Sequence, residues 1–212
     1  MKGAARITWE ARESPLAPAH EEIRLIQSLR PPRNVASAYP FLYPYIGLAA
    51  DGDELYFCLT TSPEAFPAVE FHGAFRSREI TREAFFALSL LLRYVGHPVP
   101  RHRCHRLGRA RHSHVRGFRR LPAGSLAAWS GLLRGESRAA LEALALRLVD
   151  HARARARKRE IQESPSAVNR FFEEEAGALA RVRAATGFEP YPVPQRDRDL
   201  LFARCRLDPL HA

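Results

Sequence analysis

The sequence predicts an α+β protein, with a small antiparallel sheet and packed helices in the N-terminal half and a helical C-terminal half. Three observations lead there. Residues 54–60 carry Leu55, Phe57 and Leu59 on one face and Tyr56 and Cys58 on the other, the period of two that marks a strand. Asp51-Gly52 stands just before that run, where a tight hairpin needs it. In the second half the apolar spacing turns helical, as in the stripe Leu141, Leu144, Ala145, Leu148 and Ala152. The 212 residues, 46% hydrophobic and 26% charged, suit one large or two small globular domains. The most apolar stretch, residues 84–92, is far shorter than the roughly 20 residues of a membrane span, so no membrane is expected.

Taken in order, residues 5–11 alternate as a short strand, and Pro15 and Pro18 break the chain. Ile23, Leu25, Ile26 and Leu29 line a helix over residues 20–29 that Pro31-Pro32 must end. Strands follow over residues 39–49, 54–60 and about 68–75. Thr81 is placed to cap the next helix, with Ile80 and Phe85 at staple positions, and its apolar residues leave little polar face as far as Tyr94. Residues 97–121 lack hydrophobic periodicity, are framed by Pro98, Pro100 and Pro122, and read as a long loop or an arm that orders on binding. A short helix over residues 125–133 precedes a long one from residue 137 to about 162. Arg153, Arg155, Arg157, Lys158 and Arg159 charge its end on every side, which predicts that this end protrudes. Ser164-Pro165 opens another helix, which Gly187 closes, and a last one lies near residues 197–205. The expected organisation is an α+β domain over residues 1–96, a basic arm over 97–122 and a helical domain over 123–212.

The charge is unevenly placed. Net charge is +10, and 31 of the 33 basic residues are arginine. The 52 residues between Glu83 and Glu136 hold ten arginines and no carboxylate. A solvated face normally mixes signs, so a single-sign block implies an anionic partner, and the guanidinium fork suits phosphate oxygens. The expected partner is therefore nucleic acid, RNA slightly ahead of DNA, gripped by its backbone. The expected contacts are Arg101, Arg103, His105, Arg106, Arg109 and Arg111, then Arg116, Arg119 and Arg120. Arg153, Arg155, Arg157 and Lys158 form a second group. No helix carries the polar face of a major-groove reader. Tyr39, Phe41, Tyr43 and Tyr45 could stack bases, although alternate ones must fill the core.

Common catalytic signatures are absent: no phosphate-binding glycine loop, G-x-G-x-x-G, H-E-x-x-H, C-x-x-C or G-x-S-x-G. No cofactor is implied, and enzymatic activity is left open, leaning to none. Asp51-Asp53-Glu54 and Asp197-Asp199 read as a turn and a helix start. His97, His102, His105, His112 and His114 cluster with Cys104, but the near-adjacent spacing and surrounding arginines disfavour zinc, and no metal is expected. His112 and His114 are the only catalytic candidates, as the acid–base pair of a metal-independent ribonuclease. A third alternative is an adaptor whose basic arm meets an acidic protein.

From residue 20 to 95 the order helix–strand–strand–strand–helix resembles the double-stranded-RNA-binding domain, which also presents basic residues where its second helix begins. Here those are Arg76, Arg78 and Arg82. The resemblance covers about a third of the chain and implies recognition by shape and backbone. The lysine-rich signature of that family is missing, and Glu79 and Glu83 interrupt the basic run. Phe171, Phe172 and Glu173 to Glu175 suggest docking to other subunits of a nucleoprotein complex. The N-terminus lacks the apolar region of a secretory signal, and three unpaired cysteines fit a reducing cytoplasm.

Overall fold

The computed structural model describes residues 43–122 and 124–207, together with Pro18, Glu21, Glu22 and Leu25. The strand expected over residues 5–11, Tyr39, Phe41 and most of the helix over residues 20–29 lie outside the described residues. The fold is α+β. A five-stranded antiparallel sheet is packed by helices, and the C-terminal half is helical. Among the described residues no helix is long and apolar enough to cross a membrane.

β1 (Tyr45–Asp51) and β2 (Glu54–Thr60) form the expected hairpin, with Asp51 opposite Glu54 and Gly52 at φ +59° in the two-residue turn. β3 (Glu70–Gly73) then pairs with β1 rather than with β2. The far side of β2 is taken by β5 (His114–Arg119), and β4 (His97–Pro98) adds the outer edge, giving the order β3-β1-β2-β5-β4. This is not the three-stranded sheet that the likeness to a double-stranded-RNA-binding domain implies, because two strands come from the basic segment.

That segment is the main correction. Residues 97–122 are not an arm. Pairing with β2 fixes β5 from His114 to Arg119, and Phe118 is buried beneath the helices. Between β4 and β5 a helical turn, α2 (Arg101–Cys104), crosses the opposite face of the sheet. There Val99 and Cys104 pack with Tyr56, Cys58, Phe66 and Phe71. Cover for a sheet face needs only occasional apolar residues, so no period announces it.

α1 (Arg78–Val95) is the central helix. Its cap is Ser77, whose Oγ accepts from Ile80 N at 3.1 Å, so it starts before the expected Thr81, which instead donates its hydroxyl to Ser77 O. Ile80, Ala84, Phe85, Leu88, Leu91 and Leu92 are buried, in one cluster with Ile46, Leu48, Leu55, Phe57 and Leu59 of the sheet. The same cluster continues through the C-terminal helices α3 (Ser125–Arg134) and α4 (Ala139–Asp150), so the core runs unbroken past residue 122. Phe57 meets Trp129 edge-on at 5.7 Å. Gly135 ends α3 at φ +75°, where a Cβ would lie 2.4 Å from Ala176 O, so only glycine fits that close approach.

The long helix expected over residues 137–162 is broken. His151 is extended (φ −85°, ψ 114°), and the chain resumes as α5 (Ala152–Ala156) and α6 (Lys158–Ile161). The break turns Ala154 into the core at 1% exposure, so the basic end does not protrude as expected. α7 (Ser164–Phe171), a π-helical turn over residues 172–176 and α8 (Gly177–Thr186) follow as one rod, and α9 (Gln195–Leu207) closes the fold.

The C-terminal half grips the loop between β3 and α1. Glu175 accepts from Arg76 N at 2.5 Å and Ser77 N at 2.9 Å. Val193 N donates to Gly73 O at 2.7 Å, and the buried Arg198 Nε donates to Ala74 O at 2.7 Å. Glu173 pairs with Arg138 and Glu174 with Arg170, while Phe171 packs on Phe75. The features that suggested a neighbouring subunit are thus engaged within the chain. Replacing Glu175 with alanine leaves two part-buried N–H donors without their acceptor and should lower stability by about 2 kcal/mol. Glu174→Ala, which removes an exposed pair, should stay within about 0.5 kcal/mol. Urea unfolding of the two variants checks the difference.

Candidate functional site

The sheet edge formed by β4 and β5 carries the basic residues. β4 reaches only Phe118 and Arg119, so β5 from His114 to Arg116 has no strand partner on its outer side among the described residues. The helical turn beside it is pinned by buried Cys104 and half-buried Leu107, which leaves Arg101, His102, Arg103, His105 and Arg106 exposed. A cleft of about 460 Å³ opens there, lined by Arg101, Cys104, His105, Arg109, Ser113, His114 and Arg116, with Gly108, Ala110 and Val115. No carboxylate lines it.

Two contacts shape the cleft wall. Arg109 Nη2 stands 2.9 Å from His105 Nδ1. A guanidinium only donates, so the ring nitrogen is the acceptor in this contact. Arg116 Nη1 donates to its neighbour's carbonyl, Val115 O, at 3.2 Å. The turn Ala110–Ser113 is closed by Ser113 N to Ala110 O at 3.2 Å, with His112 at φ +61° in the position of a turn that needs a left-handed residue. This leaves Arg111 and His112 exposed at the tip.

His114 sits under α1, its ring 5.0 Å from that of Phe86, over which Arg82 stacks at 5.7 Å. Burial pushes its pKa below 6.5, and Arg116, Arg82 and His112 add repulsion in the same direction. Arg82, a residue singled out by the double-stranded-RNA-binding resemblance, therefore does stand beside this cleft. Arg76, by contrast, gives its backbone N–H to Glu175.

A second cleft of about 660 Å³ lies behind β4. It is lined by Arg93, Tyr94, His97, His151, Arg153 and Arg157, with Leu90, Val95, Gly96, Pro98 and Ala156, and again by no carboxylate. Of the residues expected to contact nucleic acid it holds only Arg153 and Arg157 of the second group, together with His97 of the histidine cluster. Arg93 and His151 were not foreseen. Arg93 lies in the last turn of α1 and His97 just beyond it in β4.

The remaining candidates are scattered. Arg103 is bound to buried Glu54, which also accepts from the Tyr56 hydroxyl, and these partners hold the Glu54 carboxyl below its usual range. Arg119 is exposed opposite His97, and Arg120 Nη1 stands 3.5 Å from His97 Nε2. Arg155 turns back to Val149 O at 3.3 Å. Lys158 opens α6, and its side chain lies outside the described residues. Tyr45 is 3% exposed and donates to Val193 O, so it offers no face for stacking, while Tyr43 is half-buried, donates its hydroxyl to Asp199 and has Arg198 over its ring at 5.9 Å. Among the described residues no three His, Cys, Asp or Glu side chains are grouped to hold a metal ion, and Cys104 is a core residue.

Comparisons with protein families, curated proteins and solved structures found no match.

The environment of His114 has a direct consequence. Its folded pKa is depressed, so it is neutral at pH 7, and the stability that this neutral ring contributes is lost as pH falls from 6.5 through its folded value. In an NMR titration its ring signals should shift at lower pH than those of a free histidine. Phe86→Ala, which admits water, should return the midpoint toward 6.5, and Arg116→Gln should do so to a smaller extent.

Proposed function

We propose that the protein binds nucleic acid by its phosphate backbone along the β4–β5 edge. The observation that carries this reading is that both clefts on this edge are lined by arginine and histidine and by no carboxylate. Elsewhere the surface arginines meet acids, as in Arg134–Glu70, Arg138–Glu173 and Arg170–Glu174. Among the described residues no carboxylate pairs with Arg101, Arg106, Arg109 or Arg111. A low-dielectric wall lined by one sign of charge focuses the field on an incoming anion. The contacts are to backbone, because the arginines project from a turn and a strand edge rather than from a groove-reading helix. RNA is favoured slightly over DNA, and the setting is the cytoplasm.

The test is fluorescence anisotropy with RNA and DNA over a salt series. With about six phosphate contacts, log Kd should change with log salt at a slope of about 4 to 5 in magnitude. A variant with glutamine at Arg101, Arg106, Arg109 and Arg111 should lose about three units of that slope. A wild-type protein that binds no nucleic acid at low salt would overturn the reading in favour of an acidic protein partner.

One observation favours a second reading. A neutral His114 in an arginine-lined cleft suits the base of a ribonuclease, which takes the 2′-hydroxyl proton while His112 protonates the leaving 5′-oxygen. It predicts metal-independent cleavage of single-stranded RNA but not DNA, abolished in His114→Ala with binding retained. Gel analysis of labelled RNA in the presence of EDTA decides it.

A further inference from the structure

Helix α4 is apolar on both of its sides. Its twelve residues are Ala, Leu or Val apart from Glu142, Arg147 and Asp150, and Ala140, Leu141, Leu144 and Leu148 turn into the core. The other side leaves Ala139, Ala143, Leu146 and Val149 exposed. Leu146 and Val149, at 70% and 65%, are the most exposed large hydrophobic side chains among the described residues. A helix with apolar residues all round is normally covered all round. A lone surface leucine needs no explanation, but this face is continuous. It runs past Ala143 into a groove of about 140 Å³ lined by Leu121, Pro122, Ala128 and Trp129, and Leu126 is exposed in the turn of α3 that borders the groove. Two charges flank the outer face. At about 100° per residue, Glu142 and Arg147 lie about 140° apart around α4, with Leu146, Ala139 and Ala143 between them. They are too far apart to pair within one helix, and among the described residues neither side chain has a partner.

We infer that this face is where two copies of the chain meet, their α4 helices packed parallel about a two-fold axis. Charge selects both the occupant and its direction. When parallel helices face each other, opposite flanks meet, and Glu142 of one copy reaches Arg147 of the other across the offset at which such flanking pairs form. The two-fold axis makes this pair twice. Antiparallel helices bring like flanks together, Glu142 against Glu142 and Arg147 against Arg147, and that arrangement is repelled. The second copy therefore carries the complement of this face without any further partner being needed. Ala139, Ala143 and Leu146 form the layers between the charged flanks, with Val149 beside Glu142. Asp150, the last residue of α4, ends the seam at solvent. A contact of this length is smaller than a standard interface, so the dimer is weak, with Kd on the order of 10 to 100 µM. Joining two copies puts two basic edges on one particle, which raises the effective concentration of the second edge for a long polyanion. The association itself does not rest on the nucleic-acid reading.

Sedimentation equilibrium of the full chain, freed of nucleic acid and run over a concentration series at low salt, tests this. Leu146→Glu places a charge in the seam and should weaken association more than about tenfold. Glu142→Arg leaves both flanks cationic and Arg147→Glu leaves both anionic, so each alone should weaken self-association about tenfold. Mixed one to one, these two variants should associate within about threefold of wild type, because every flanking pair is again opposite in sign. All three positions are exposed, so the fold tolerates the changes, and thermal unfolding of each variant at a dilute concentration checks that. Wild-type protein that stays monomeric up to about 500 µM overturns the inference and leaves the face to a different protein. A dimer that persists in Leu146→Glu meets at another surface, which overturns it as well. Association that is lost in Leu146→Glu but not restored by mixing the two charge variants overturns the parallel pairing of α4.

Discussion

The loop between β3 and α1 is the joint on which the architecture depends. Over residues 73–77 the chain leaves the sheet and enters its central helix, and three separate C-terminal elements supply hydrogen bonds to it. Glu175 is the most demanding of these contacts. Burial pushes its carboxyl up while the two N–H groups of Arg76 and Ser77 pull it down, so it is satisfied only where it is. The helix that follows has buried residues around roughly half its circumference, wider than the stripe of an ordinary surface helix. It needs cover on two sides, the sheet on one and the C-terminal rod on the other. Both halves of the chain are therefore committed to one core.

That shared core explains where the charge goes. The sheet is covered on both faces, by helices on one and by the turn Arg101–Cys104 with its neighbours on the other. Arginines between Glu83 and Glu136 cannot enter either layer, and all but Arg134, which meets Glu70 of β3, collect at or beside the remaining margin, the β4–β5 edge. Single-sign crowding is tolerable there because the side chains are exposed and screened by solvent. Two arginines of this block meet carboxylates: Arg134 pairs with exposed Glu70 at the end of α3, and Arg103 pairs with buried Glu54, which anchors the turn to the sheet.

Legibility in the sequence followed the regularity of each element. β2 was readable to the residue because alternation and a turn signal coincide over residues 54–60. The start of α1 was misread by one turn because Ser77 and Thr81 are both good caps, and the choice between them is made by Glu175 from a hundred residues away. β5 was invisible for a different reason. Only Phe118 is fully buried as a side chain, while His114 and Arg116 share its face, so a strand reads as a polar loop. The break at His151 carries no glycine or proline, and what enforces it is the burial of Ala154, a tertiary event. The basic residues of the site were plain from composition. Their partition into two clefts was not, since it depends on that break and on a strand that does not look like one.

Strand order also bears on the path by which the chain reaches this state. Two residues join β1 to β2, whereas β5 must find β2 from about 60 positions downstream, closing a loop whose entropy is lost before its contacts are gained. Loop closure thus favours early formation of the hairpin and late arrival of its outer neighbour. Until that arrival the arginines of residues 101–120 are strung along an open chain, and afterwards they share one margin. A polyanion bound across that margin, as proposed, would bridge the segments that meet last and by mass action would hold shut the closure with the greatest reach in the sheet.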